Sequence, residues 1–294
     1  MSKLNSEVIE TVSENAAFAF VQELATGLSR REIELPSFPD VAIRVRRVLS
    51  DEDVSAKDVV RVVGSEPALA ARVMQMANSA ALGHVGRPIS DLRAAITRIG
   101  FNLVRSAAIS FAMAQVRRAE TLKSLGGSLQ SHWEHSSLVA AFSHVVARRL
   151  SKVNADTALL TGLLHGVGKL YILTQAVRHP ALFNDQAAYF DIERDWHVSI
   201  AKALLETWNI PEEIVTAIEG YEDTTREHSG PPDLTDVLTV GSLLATFHAY
   251  PETLELNLQG VTACERMQLD RKALEALVSE SEKDVASLRQ MLGL

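Results

Sequence analysis

The sequence predicts an all-α fold. Apolar residues recur at three- and four-residue spacing along most of the chain, and strict period-two alternation is sustained nowhere. The nine prolines and fifteen glycines fall mainly between the apolar-periodic segments, where they punctuate helices. Hydrophobic residues make up 47% of the 294 residues, enough to bury a sizeable core.

The first segment, residues 1–28, reads as an amphipathic lead-in helix with Phe18, Phe20, Val21 and Leu24 as its packing stripe. A helical series follows. Ser37 is a candidate N-cap, with Pro39 in the first turn, and Val41, Val45, Val48 and Leu49 form one face. Ser55 and Asp58 have capping-box spacing for a short helix ending near Gly64. Pro67 opens the next helix, with Leu69, Val73, Met74 and Met76 apolar, and Gly83 to Pro88 reads as a loop. Ser90 is the expected cap of a helix that stops at Gly100, with Leu92, Ala95, Ile96 and Ile99 inward. Residues 101–120 continue as a strongly apolar, buried helix. The pair Gly126-Gly127 is a candidate boundary between two helical subdomains, 29–126 and 127–250.

In the second subdomain a long amphipathic helix carries His132, His135 and His144. His132 and His135, three apart, share a side. Asp156 is placed to cap the next helix, and Gly162 permits close packing. The stretch LLTGLLHGVGKLYI (159–172) then delivers His165 to a Gly-Val-Gly corner followed by Lys169. His197, Ile200, Ala201, Leu204, Leu205 and Trp208 form another apolar face ending before Pro211, and Glu193 stands four residues before His197. Residues 251–294 form a C-terminal helical extension, capped at Asp270 and suited to closing the body or to pairing with a partner.

Composition narrows the function classes. Twenty-nine basic against 37 acidic residues give a formal charge of −8, which disfavours broad nucleic-acid binding. The arginine groups at 44/46/47, 117/118 and 148/149 read as solvated sides of amphipathic helices rather than one basic face. A single cysteine, Cys264, excludes an internal disulfide and a cysteine-rich zinc site. The N-terminus carries acids where a secretion signal has basic residues, and no apolar run is read as reaching the ~18–20 residues that span a bilayer. A reduced, cytoplasmic protein without a membrane anchor is therefore expected.

Four features then occur in order: LPSFP, Glu66-Pro67, Asn78-Ser79, and a helix ending in Ile99-Gly100. With an acid–His–Leu-Leu-x-x-Trp-x-Ile-Pro run around His197, they resemble the HDOD (HD-related output domain) family over roughly residues 29–250. That resemblance implies a regulatory output domain of bacterial signal transduction, derived from the HD phosphohydrolases. Those enzymes hold divalent metal with a histidine, a His-Asp pair and a later aspartate. By resemblance His135 matches the first ligand and His165 the second, but Gly166 stands in place of the aspartate and cannot ligate. The later acid falls near Gly241-Ser242, although Asp233 and Asp236 lie at the start of that segment. His197 matches a further ligand of metal-binding relatives, whose histidine pair is absent at Tyr221-Glu222; His228 is the nearest histidine.

Two other motifs fail. His132 and His135 lack the His-x-x-x-His spacing of a zinc protease, and Gly162 to Gly168-Lys169 has five intervening residues rather than four, with Leu170 where magnesium needs Ser or Thr. The expected reading is a non-catalytic signalling module acting through protein partners, without cofactor and with homodimerisation open. His135, His165 and His197 are expected as buried or half-buried structural histidines. Lys169 and exposed amides of Gly166–Gly168 offer a remnant pocket for an anion or small molecule. The alternatives are a metal-dependent phosphohydrolase or phosphodiesterase on a (cyclic) nucleotide, and a regulator that binds a nucleotide or nucleic acid without cleaving it.

Overall fold

The computed structural model describes residues 2–30, 32–35, 38–51, 53–79, 82, 88–249 and 260–293. Helix α1 (Ser2–Arg30) precedes α2 (Asp40–Leu49), α3 (Ala56–Gly64), α4 (Pro67–Ala77) and α5 (Leu92–Arg118). A 3₁₀ segment, Glu120–Leu125, leads into α6 (Gly126–Leu150), α7 (Ala155–Leu164) and α8 (Val167–Ala176). After a second 3₁₀ segment, Pro180–Asn184, come α9 (Gln186–Thr207), α10 (Glu212–Gly220), α11 (Leu234–Ala249), α12 (Thr262–Arg266) and α13 (Arg271–Met291). The fold is all-α, with no strand among the described residues.

Local chemistry sets most helix ends. Ser55 Oγ accepts the Asp58 amide at 3.3 Å and donates to its carboxylate, so the capping box forms. Glu66 caps α4, with Pro67 in the first turn where its missing N–H is no loss. Asn78 ends that helix and reaches further than its own turn. Its amide nitrogen donates to Met74 and Ile89 carbonyls at 3.1 and 3.0 Å, and its oxygen accepts the Ile89 amide at 2.8 Å, tying the end of α4 to Ile89. Asp270 caps α13 through the Ala273 amide. Three ends differ from expectation. Pro39 is the residue before α2 rather than in its first turn, and Ser37 lies outside the described residues, as do residues 83–87 of the expected loop. Asp91, not Ser90, caps α5, because its carboxylate meets the Ala94 amide at 2.8 Å. Asn154, not Asp156, caps α7 by accepting the Thr157 amide at 2.9 Å.

Gly100 breaks α5 as its φ of 74° allows, turning one apolar run into two helical pieces. The pair Gly126-Gly127 forms the first turn of α6. That helix lies at the centre of the second half, packed on α7, α11 and α13. The approaches are close: a β-carbon at Gly162 would stand 2.5 Å from the Ala140 backbone, and one at Gly241 would stand 2.9 Å from the Ser143 amide. In the first half α2, α3 and α4 pack on α5, which also reaches α7, so one continuous apolar core runs through both halves.

The stretches Leu92–Arg118 and Ala155–Ala176 are long and apolar enough to cross a bilayer, contrary to the reading of the sequence. Their apolar windows are 67% and 94% buried within the fold, as befits core helices that are hydrophobic all round. The lead-in helix packs on α9 and residues 180–184 through Phe20 and Leu24, while Phe18 points outward and is 65% exposed.

The arginines serve as staples. Arg105 donates to the Leu49 carbonyl at the end of α2, Arg72 to the Leu292 carbonyl, and Arg149 to Glu280 and Asp284 of α13. Cations at helix C-termini satisfy free carbonyls and favour the helix dipole. Arg117 lies over the Trp133 ring, 5.6 Å from its centre.

Candidate functional site

The corner between α7 and α8 gathers the residues singled out by sequence. His165 is buried, and its Nδ1 lies 2.7 Å from the Gly162 carbonyl, which assigns the ring proton to Nδ1. Its ring meets those of His135 and Tyr221 edge-on, each 5.6 Å between centres. Burial, with His135 the nearest like charge, lowers its pKa to about 3. His135 differs from expectation: it is exposed and has no hydrogen-bond partner among the described residues, although desolvation and Lys169 still depress its pKa.

Gly166 carries the most information. A β-carbon there would lie 2.7 Å from Cε1 and 3.2 Å from Nε2 of His132, and 3.3 Å from Ser136 Oγ. The space an aspartate side chain would enter is thus lined by an imidazole. Burial lowers the His132 pKa to about 4, with His135 and Lys169 adding to the effect. Sequence reading saw His132 only as a failed protease motif; its one-turn offset from His135 was the available signal.

A second group closes the site. Glu222 bridges Lys169 Nζ at 3.1 Å and His197 Nε2 at 3.1 Å, and accepts the Tyr221 hydroxyl at 2.8 Å. The His197 hydrogen bond, then Lys169 and Tyr221, hold this carboxyl well below its usual range against desolvation. Sequence reading passed over Glu222 because it sought a histidine there. His197 is buried as expected, but its partner is Glu222; Glu193 instead accepts the Tyr189 hydroxyl at 3.3 Å. Residues 166–168 are buried, so the exposed amides expected for an anion are absent from this corner. A β-carbon at Gly168 would lie 1.9 Å from the His197 carbonyl oxygen.

Asp236 is drawn elsewhere. It is buried on α11, where Oδ1 accepts from Arg266 at 2.8 Å and Arg226 at 3.4 Å, and Oδ2 faces His228 Nε2 at 2.8 Å. Asp233 pairs with Arg226. His228, Asp233 and Asp236 have ligand atoms within 4.8 Å of one another, yet two guanidinium groups already supply the positive charge. At Gly241 the Ser143 backbone and hydroxyl occupy the place an acid would need. Glu66, Pro67, Asn78 and Ser79 form the two ends of α4, and Asn78 ties its end to Ile89. Cys264 is buried, and desolvation raises its thiol to about 11.

The family profile of the HDOD domain matches residues 35–224. The chain belongs to the HDOD family. Among solved structures, an HDOD domain protein of unknown function from Geobacter sulfurreducens superposes with a TM-score of 0.64 at 23% identity, covering 96% of this chain and 99% of that one. A Shewanella amazonensis protein, provisionally described as a metal-dependent phosphohydrolase, gives 0.70 at 24%, covering 95% and 99%. A Marinobacter aquaeolei protein, provisionally described as a signal transduction protein, gives 0.55 at 19%, covering 97% and 69%. These likenesses establish the HDOD fold. An uncharacterized protein of Treponema pallidum (strain Nichols) is 23% identical over 284 residues; the match takes in 92% of this chain but only 51% of that protein, so the chain spans about half the length of its curated relative.

Proposed function

We propose that this HDOD chain is a regulatory module of signal transduction that works through protein–protein contact rather than hydrolysis. The observation that carries this reading is the His132 ring at Gly166. A hard divalent ion needs oxygen ligands, and a hydrolytic site needs the metal to acidify a bound water. Here the His-Asp position offers no oxygen, and its space is shared with an imidazole. The nearby carboxylate, Glu222, is already neutralised by Lys169 and hydrogen-bonded to His197. The donor set at the corner therefore does not fit the superfamily's metal, and no reaction step is routed through one. A cytoplasmic location is part of the same reading.

Two measurements test it. Purified protein should contain no stoichiometric manganese, iron, zinc or magnesium, and added metal should neither raise the melting temperature nor induce hydrolysis of bis-p-nitrophenyl phosphate or cyclic dinucleotides. Metal-dependent turnover lost on His165→Ala would replace the regulatory reading with the phosphohydrolase one. A partner identified by co-purification from native cells should bind again as a purified component at a defined stoichiometry.

A further inference from the structure

A cleft of about 860 Å³ opens between α1 and α8. Its walls carry three carboxylates, Glu23, Glu32 and Glu34, and one guanidinium, Arg178. Glu23 is already engaged, receiving Arg178 at 2.6 Å and His179 at 2.8 Å. Glu32 and Glu34 have no ion-pair partner within contact distance among the described residues.

Exposed acids alone are ordinary surface. The second observation comes from the floor. Tyr171 and Gln175, one turn apart on α8, line the same cleft and are only 7% and 4% exposed. Neither the Tyr171 hydroxyl nor the Gln175 carboxamide has a hydrogen-bond partner among the described residues. These two side chains are largely buried yet keep their polar atoms open to the cleft, side by side, where they can meet ligand atoms. The floor offers acceptors at Gln175 Oε1 and Tyr171 Oη, and the rim offers carboxylates. Such a wall takes N–H donors and positive charge. The three carboxylates do not converge: among the described residues the group with ligand atoms within 4.8 Å of one another is the His228 cluster, not this one. Negative charge spread along a cleft suits a cation whose charge is also spread, rather than a point-like metal ion.

We propose that the α1–α8 cleft binds a small linear polyamine, with ammonium groups on Glu32, Glu34 and the Gln175 carboxamide and its methylene chain along the Tyr171 side. The ligand would tie the lead-in helix to the helix that bears Lys169.

Isothermal titration of the full chain with spermidine at about 150 mM salt tests this; at that ionic strength surface charge is screened beyond about 8 Å. Saturable one-to-one binding is expected. The exposed double substitution Glu32→Gln/Glu34→Gln should weaken it by about tenfold or more, and Tyr171→Phe or Gln175→Leu by about two- to tenfold, the range of one hydrogen bond. Circular dichroism melts of each variant check folding, and the double Glu variant, at solvated positions, keeps the test usable if a floor variant unfolds. Equal heats from magnesium at matched ionic strength, binding untouched by both the rim and the floor substitutions, or no saturable binding would each overturn the proposal.

Discussion

Two polar clusters stand in the second half of the chain, and they settle their charge in opposite ways. At the α7–α8 corner three histidines are kept neutral by desolvation, and one carboxylate is balanced by one lysine. Around α11 a buried carboxylate is paired, because Arg226, Arg266 and His228 converge on it. The first cluster removes charge; the second pairs it. The comparison teaches that resemblance to a metal site in residue type says little until the charges are assigned. The corner has ligand-like nitrogens and a single acid already taken by Lys169 and His197, and the α11 cluster has acids whose cations are built in.

The difference can be broken from either side. The largest effect should come from Asp236→Ala, which takes the carboxylate from part-buried Arg266 and leaves Arg226 and His228 with Asp233 alone. Removing one partner from a buried ion network costs about 3–5 kcal/mol, read as a fall in urea midpoint at constant m-value. Gly168→Ala should follow, at about 1–3 kcal/mol, since the added methyl meets backbone rather than a movable side chain. A melt unchanged within a degree would mean that α8 and α9 leave room for a methyl group at Gly168.

Smaller effects report on the corner itself. Glu222→Gln should cost about 1 kcal/mol at neutral pH, discounted because the carboxylate is 44% exposed. Its folded pKa is depressed, so its contribution is present above the unfolded value near 4.5 and disappears as pH falls through the folded value. The variant should therefore lose less stability than the parent below about pH 4.5. The histidines act over a higher window. His132 and His165 have folded values of about 4 and 3 against 6.5 unfolded, so the unfolded chain takes up protons first and stability declines as pH drops below about 6.5. His132→Gln should flatten that decline between pH 6.5 and 4, measured by denaturant unfolding at several pH values. Histidine Cε1 resonances of the folded protein should show His165 unprotonated at pH 4.5.

How far the sequence discloses all this depends on the range of each interaction. The Ser55–Asp58 box, the Glu66-Pro67 start, the Gly100 break and the Asp270 cap were legible because each is settled within four residues. The His165 corner was legible as a motif. Asp91 in place of Ser90, and Asn154 in place of Asp156, are choices among neighbouring cap formers that a few degrees of backbone decide. Phe18 misled because α1 buries a narrower stripe than its composition suggests. The fate of Glu222, the His132 ring at Gly166 and the Asp236 network depend on partners 8 to 53 residues away, which no local pattern encodes.

One contact has a bearing on how the chain reaches this state. Phe38, in the entry segment, stacks on Trp208 at the end of α9, with ring centres 5.1 Å apart. Helices α2 to α5 can gather among themselves through near neighbours, and α6 to α8 likewise; the Phe38–Trp208 pair can close only when both groups exist and meet. Contacts of such long sequence separation form at the highest loop-closure cost. Trp208 is therefore a natural optical reporter of the last docking event, and in a stopped-flow refolding trace its fluorescence should settle after the far-ultraviolet helical signal.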